Sequence, residues 1–154
     1  MKKFLAIFVL ALAACGRPFD VKTAPGFLEL KEADSSSYAY RATTPEGVVV
    51  GVRVVDVEGE GSHDLGFWTR ALTLQLRDAG GYALLDTRDV KSRDGAPGKQ
   101  LRFGRDESGK PYVYWVTFFT SDDHLIVAEA GGAKPQFDAA QSSVEWMLAS
   151  LAVK

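Results

Sequence analysis

The run Tyr112-Val113-Tyr114-Trp115-Val116-Thr117-Phe118-Phe119-Thr120 decides the fold. In an extended chain successive side chains point to opposite faces. Tyr112, Tyr114, Val116 and Phe118 therefore share one face, and Val113, Trp115, Thr117 and Phe119 share the other. Both faces are apolar, so this strand is to be buried from both sides and its sheet needs a cover on each. The sequence supplies two amphipathic segments for that purpose. In the first, Leu65, Trp68, Leu72, Leu76 and Ala79 follow helical spacing behind Asp64, a residue type that caps helix N-termini, and Gly80-Gly81 stops the run. In the second, which follows Pro135, the residues Phe137, Ala140, Val144, Met147, Leu148 and Leu151 form one apolar stripe.

Other β-rich runs lie outward from the central one. Phe27 to Lys31, Tyr38 to Thr44 and Val48 to Val57 precede the first helix, separated by Asp34-Ser35-Ser36-Ser37 and Pro45-Glu46-Gly47. Tyr82 to Val90, Lys99 to Arg105, Tyr112 to Thr120 and Leu125 to Ala130 follow it as a four-strand meander, punctuated by polar and glycine-rich turns. In Val48 to Val55 the valines favour one side, which predicts a position nearer a sheet edge. Gly131-Gly132 is read as opening the last connection. The expectation is an α+β domain: an antiparallel sheet of six to seven strands sandwiched between two helices.

The N-terminus carries an address. Lys2 and Lys3 precede a short apolar run, Phe4 to Ala14, and the tetrapeptide Leu12-Ala13-Ala14-Cys15 resembles the lipobox of bacterial lipoproteins. The apolar run is too short to span a bilayer, which takes about 20 residues. The resemblance implies that Leu12, Ala13 and Ala14 are read by the signal peptidase, that residues 1–14 are removed, and that Cys15 receives the lipid, palmitate-type acylation following at the new N-terminus. Residues 15–26, with Pro18 and Pro25, are read as a tether, and 27–154 as a single domain.

Composition narrows the remaining possibilities. Of 154 residues, 46% are apolar and 11% aromatic, which predicts a folded domain. The chain has 18 Lys plus Arg and 20 Asp plus Glu; without Lys2 and Lys3 the count is 16 against 20, near −4, which argues against a nucleic-acid partner. Cys15 is the only cysteine, so neither a disulfide within the chain nor a thiolate metal cluster can form.

The element order resembles that of the PsbP-like superfamily, which includes photosystem II extrinsic proteins, Mog-type Ran-binding proteins and bacterial DcrB-like lipoproteins. The resemblance rests on Trp68 to Leu76, Gly80-Gly81-Tyr82, Gly98 to Phe103, Tyr112 to Phe119 and Phe137 to Leu151. It is a pattern of apolar positions spanning almost the whole mature domain. It implies the sandwich above and, in bacterial lipoprotein members, an envelope-facing accessory or binding role. It brings no active site with it, and fold alone does not dictate function.

The chemistry-bearing residues are sparse. No Gly-x-Ser-x-Gly elbow accompanies His63 or His124. Asp122-Asp123 and Asp86/Asp89 sit in turn or strand contexts where solvated acids are common, and Gly59-Glu60-Gly61 lacks the Gly-Lys-Ser/Thr of a phosphate loop. Asp122, Asp123 and His124, and the stretch Asp56, Glu58, Glu60, offer metal-ligand types without a matching motif. We therefore expect no enzymatic activity, no cofactor and no metal, the membrane as one partner through the lipid, and an envelope protein as another. Trp146 lies on the flank of the last helix, where it either packs at the sheet edge or stays exposed as a partner contact. The loop Glu58 to Phe67 and the turns Ser92 to Gly98 and Gly131 to Lys134 are further places for a site. The competing reading is a small-ligand carrier or enzyme with an aromatic pocket around Trp68, Tyr82 and Tyr114. The expected location is the cell envelope, on the periplasmic side of an outer membrane.

Overall fold

A computed structural model describes residues 16–31, 36–59 and 61–154. Leu12, Ala13, Ala14 and Cys15 lie outside the described residues, as does Glu60. In chain order the elements are β1 (Phe19–Asp20), β2 (Leu28–Glu29), β3 (Tyr40–Thr43), β4 (Val49–Asp56), α1 (Leu65–Gly80), β5 (Ala83–Lys91), β6 (Pro97–Glu107), β7 (Lys110–Thr120), β8 (His124–Ala133), α2 (Lys134–Ala149) and β9 (Ala152–Val153). Seven of these strands form one antiparallel sheet in the order β2-β3-β4-β8-β7-β6-β5.

The two-faced strand is β7, and its pleat divides the core. Val116 and Phe118 join Leu101, Phe103, Leu125 and Val127 in a cluster against which Leu65, Trp68, Leu72 and Leu76 of α1 pack. Trp115 and Phe119 join Val50, Val52, Ile126 and Ala128 in a larger cluster with Phe137, Val144 and Met147 of α2. One helix thus covers each face, α1 over β5 and β6 and α2 over β7 and β8. The offset between them leaves part of each sheet face open.

Local chemistry sets the element ends. Asp64 caps α1, its carboxylate accepting from the Gly66 N–H at 2.8 Å. Gly81, at φ 65°, adopts the left-handed conformation that ends the helix, and its N–H donates to the Arg77 carbonyl. Gly98 is needed for a different reason. A Cβ there would lie 2.5 Å from the Phe118 carbonyl oxygen and 2.4 Å from the edge of the Phe119 ring, so nothing larger than hydrogen fits between β6 and β7 at this point. Gly98→Ala should destabilise the domain by about 1–3 kcal/mol, read as a lowered urea midpoint at unchanged slope.

Three expectations need correction. The stretch 15–26 is not simply a tether: Phe19 and Asp20 form β1, paired antiparallel with β9 at Phe19↔Val153 and Asp20↔Ala152, and Phe19 and Ala24 are buried. Gly131 and Gly132 do not open a connection but continue β8, opposite Tyr114 and Val113, and the chain passes directly into α2. They are glycines because a Cβ would press on the Tyr114 ring at Gly131 and on Val48 at Gly132. Finally, β4 lies inside the sheet, between β3 and β8. Because β3 pairs only with Val49 to Val52, the far half of β4 has one neighbour and behaves as an edge.

Candidate functional site

Alternation along β5, β6 and β7 turns Asp86, Arg88, Gln100, Arg102, Val113 and Trp115 toward the face that carries α2. Since α2 lies over β7 and β8, this strip is only partly covered. It forms the floor of a trough whose other wall is α2 itself, through Phe137, Gln141, Glu145 and Leu148, residues spaced three or four apart on one helical face, with Asp138 beside them. The trough has two lobes, of about 450 and about 440 Å³, which share Arg88 and Arg102. The first, floored by Val113 and Trp115 with Phe137 on its wall, is the more apolar; the second is floored by Gln100, Thr117 and Phe119.

Arg102 divides the lobes. Its guanidinium stacks on the Trp115 ring at 3.6 Å from the centroid, its Nε donates to Gln100 Oε1 at 2.8 Å, and Nη2 reaches Glu145 Oε1 across the trough at 3.4 Å. The side chain is 15% exposed. Burial, and then the neighbouring Arg88, lower its pKa from the ordinary arginine value, yet it stays charged at any physiological pH. Gln100 is fixed in turn by donating to Thr117 Oγ1 at 3.0 Å. The rim carries both signs, with Arg88 paired to Asp86 and Lys134 paired to Asp138. Such a trough suits an extended, partly apolar segment or an elongated small molecule with a group that arginine can recognise.

The opposite face holds a buried charge. Glu129 of β8 is 7% exposed and receives Arg53 through two bonds, Nε to Oε2 at 2.9 Å and Nη2 to Oε1 at 2.6 Å. The Tyr114 hydroxyl donates to the same carboxylate, as does that of Tyr38. Burial first, and then the Glu129 charge, raise the pKa of both tyrosines, most strongly for Tyr114. Above this cluster lies a hollow of about 260 Å³ lined by Tyr38, Tyr82, Tyr112 and Tyr114. The aromatic pocket expected around Trp68, Tyr82 and Tyr114 is therefore split. Tyr82 and Tyr114 share the hollow, with ring centroids 5.3 Å apart, while Trp68 sits in the α1 cluster and donates from Nε1 to the Ser62 carbonyl.

The other anticipated positions fall as follows. Trp146 is 48% exposed on the flank of α2 and does not line either lobe. The turn Ser92 to Gly98 is a staple for the C-terminal segment: Arg93 N–H donates to the Leu151 carbonyl and Val153 N–H to Asp94 Oδ1. Hydrogen bonds from the Ser92 hydroxyl and then from Val153 N–H hold the Asp94 carboxyl below its usual pKa. The loop Glu58 to Phe67 borders a hollow of about 420 Å³ with Phe67 and Trp68 on one side. His124 lies 3.4 Å from Asp56 at the strand ends. Among the described residues no three His, Cys, Asp or Glu side chains gather as a metal-binding group, and no helix is long and apolar enough to cross a membrane. The trough was missed in the sequence because its walls come from three strands and a helix; its only sign was the polar alternation of Asp86, Arg88, Gln100 and Arg102.

The sheet order and the two unequal helix covers define a PsbP-like α+β fold. The chain is similar to the solution structure of cyanobacterial PsbP, CyanoP, from Synechocystis sp. PCC 6803, with TM-score 0.59 and 12% identity over 95% of this chain and 99% of that one. It is also similar to LpqN, involved in cell envelope biogenesis of Mycobacterium tuberculosis, with TM-score 0.68 and 12% identity over 88% of this chain and 83% of that one. A third likeness is to PA94 of Pseudomonas aeruginosa, a protein of unknown function, with TM-score 0.56 and 10% identity over 92% and 87% of the two chains. At these identities the likeness is one of fold. No family model and no curated protein matches the sequence.

Proposed function

We propose that this protein is a lipid-anchored, non-enzymatic accessory protein of the bacterial envelope that holds a partner in the trough beside α2. The observation that carries the reading is the trough itself: two lobes, an aromatic floor, and an arginine stacked at their junction with its hydrogen-bonding edge turned toward α2. Buried aromatic and arginine anchors of this kind dominate binding energy at interfaces. The lipobox at Leu12 to Cys15 supports anchoring, and the likeness of fold to LpqN, an envelope-biogenesis protein, supports the compartment. Gly16 after the lipidated cysteine, in place of an aspartate that resembles an inner-membrane retention signal, favours the outer membrane, periplasmic side.

The test is site-specific photo-cross-linking in cells. A cross-linker placed at Asp138, on the trough wall, should capture one envelope protein that a cross-linker at the exposed Leu74 of α1 does not. Gly104 floors the larger lobe, and Gly104→Trp should fill it and abolish that capture while circular dichroism shows a folded domain. Equal capture from Asp138 and Leu74, or capture that survives Gly104→Trp, would overturn the reading. Loss of membrane association in Cys15→Ala checks the anchor.

A further inference from the structure

The lipid attachment point and the fold are separated by almost no slack. Phe19 is fully buried and bonded in register to Val153, and the Lys154 N–H donates to the Pro18 carbonyl at 2.9 Å. Arg17 is held as well, donating from Nη1 to the Ala39 carbonyl at 3.2 Å with its guanidinium over the Phe19 ring. Lys22 N–H donates to Ser150 Oγ, so the chain beyond β1 is tied to the end of α2. Cys15 to Pro18 spans three residues, about 10 Å when fully extended. That is shorter than the radius of gyration of about 14 Å expected for a domain of roughly 140 residues.

The leash emerges at a defined place. Pro18, Val153 and Lys154 border one shallow hollow with Ala96 and with Thr120 to His124, which make the β7–β8 turn. The opposite end of the sheet is the β6–β7 turn at Ser108-Gly109, separated from Thr120 by the length of β7, about 33 Å. The apolar lobe of the trough is bordered by Asp106, Pro111, Tyr112 and Lys134, at that far end. A leash shorter than the domain radius lets the domain rock but not turn over.

We infer that the strand-end face formed by Pro18, Lys154 and the Ser121–Asp123 turn is a membrane-apposed surface, its occupant the headgroup layer of the bilayer that holds the Cys15 lipid. The inference rests on the proposed anchoring. Its consequence is that the apolar lobe, floored by Val113 and Trp115 five to seven residues along β7 from Thr120, stands about 15–25 Å out from that surface, on the side of the sheet that carries α2.

Because Cys15 is the only cysteine and its sulfur is consumed by the lipid, one introduced cysteine gives a unique labelling site. Asp122 and Glu107 are exposed at the two ends. The native acylated chain carrying Asp122→Cys or Glu107→Cys is labelled with a fluorophore and reconstituted in phosphatidylethanolamine/phosphatidylglycerol vesicles that contain nitroxide-headgroup lipid. Intact mass first establishes acylation at Cys15. The label at 122 should be quenched several-fold more than that at 107. Inserting 20 Gly/Ser residues between Gly16 and Arg17, a coil of about 25 Å root-mean-square span, leaves β1 in place and should abolish the difference. Equal quenching of the two labels in the acylated parent protein would overturn the inference while leaving the anchor standing. An unacylated mass would overturn the anchoring and the inference with it.

Discussion

Phe19→Ala should lower the stability of the domain by about 3–5 kcal/mol, as measured by chemical denaturation. Phe19 is fully buried in the α2-face cluster that also holds Tyr40 and Leu151, and it is the residue through which β1, paired with β9, enters the core. Truncation removes both the transfer free energy of the ring and the contacts of the cavity that it leaves. A loss of this size takes a large part of the 5–15 kcal/mol that a typical domain possesses, and corresponds to a fall in Tm on the order of 10 °C. By contrast Lys22→Ala, at an exposed position a few residues along, should change stability by no more than about 0.5 kcal/mol. If residues 16–26 were only a tether, the two substitutions would behave alike.

This contrast shows where sequence reading works on this chain. Strands and helices with a period of their own were legible: the Tyr112 to Thr120 alternation predicted a doubly covered sheet, and β7 contributes Val116 and Phe118 to the α1 side and Trp115 and Phe119 to the α2 side. The Asp64 cap and the Gly81 stop are local chemistry and were legible for the same reason. Phe19–Asp20 has no period, since two residues cannot show one, and its pairing depends on Ala152–Val153 at the other end of the chain. The glycines at 131 and 132 misled because glycine marks both a turn and a close approach within a strand, and only the facing Tyr114 and Val48 side chains distinguish the two.

The same limit explains the functional surfaces. Residue types are visible in the sequence, but the trough exists because α2 is displaced from β5 and β6, a matter of helix placement that no local pattern encodes. Tyr82 and Tyr114 are named as pocket residues because aromatic density points to them, whereas Glu129, one acid within an apolar strand, carries no motif and is passed over. An acidic residue in such a strand is itself a signal: it implies a partner that satisfies the charge, and β4, the adjacent strand, carries Arg53 at the position that reaches it.

Glu129→Ala should cost about 3 kcal/mol, toward the lower end of what removing one partner from a buried ion pair costs, because Arg53 keeps 36% of its side-chain surface in water. The substitution leaves the guanidinium without its carboxylate and the Tyr114 and Tyr38 hydroxyls without their acceptor, in a site where each unpaired group retains its desolvation cost. Glu129→Gln keeps an acceptor and the shape, so its cost should be smaller. The tyrosines add a pH dependence whose sign follows from the direction of their shift. Burial and then the Glu129 charge raise the folded-state pKa of Tyr114 and Tyr38 above the ordinary value of 10, so the folded protein holds these protons more tightly than the unfolded chain does. The stabilisation is fully present below pH 10 and is lost as the pH rises from there toward the folded-state values, with a slope of at most about 1.4 kcal/mol per pH unit for each tyrosine. Denaturation midpoints measured between pH 8 and pH 11.5 should be level up to about pH 10 and then fall. Tyr114→Phe should make that fall shallower, because the most strongly shifted of the two groups no longer titrates. A fall of equal steepness in Tyr114→Phe and in the parent protein would place the alkaline sensitivity elsewhere and remove the Glu129 cluster as its source.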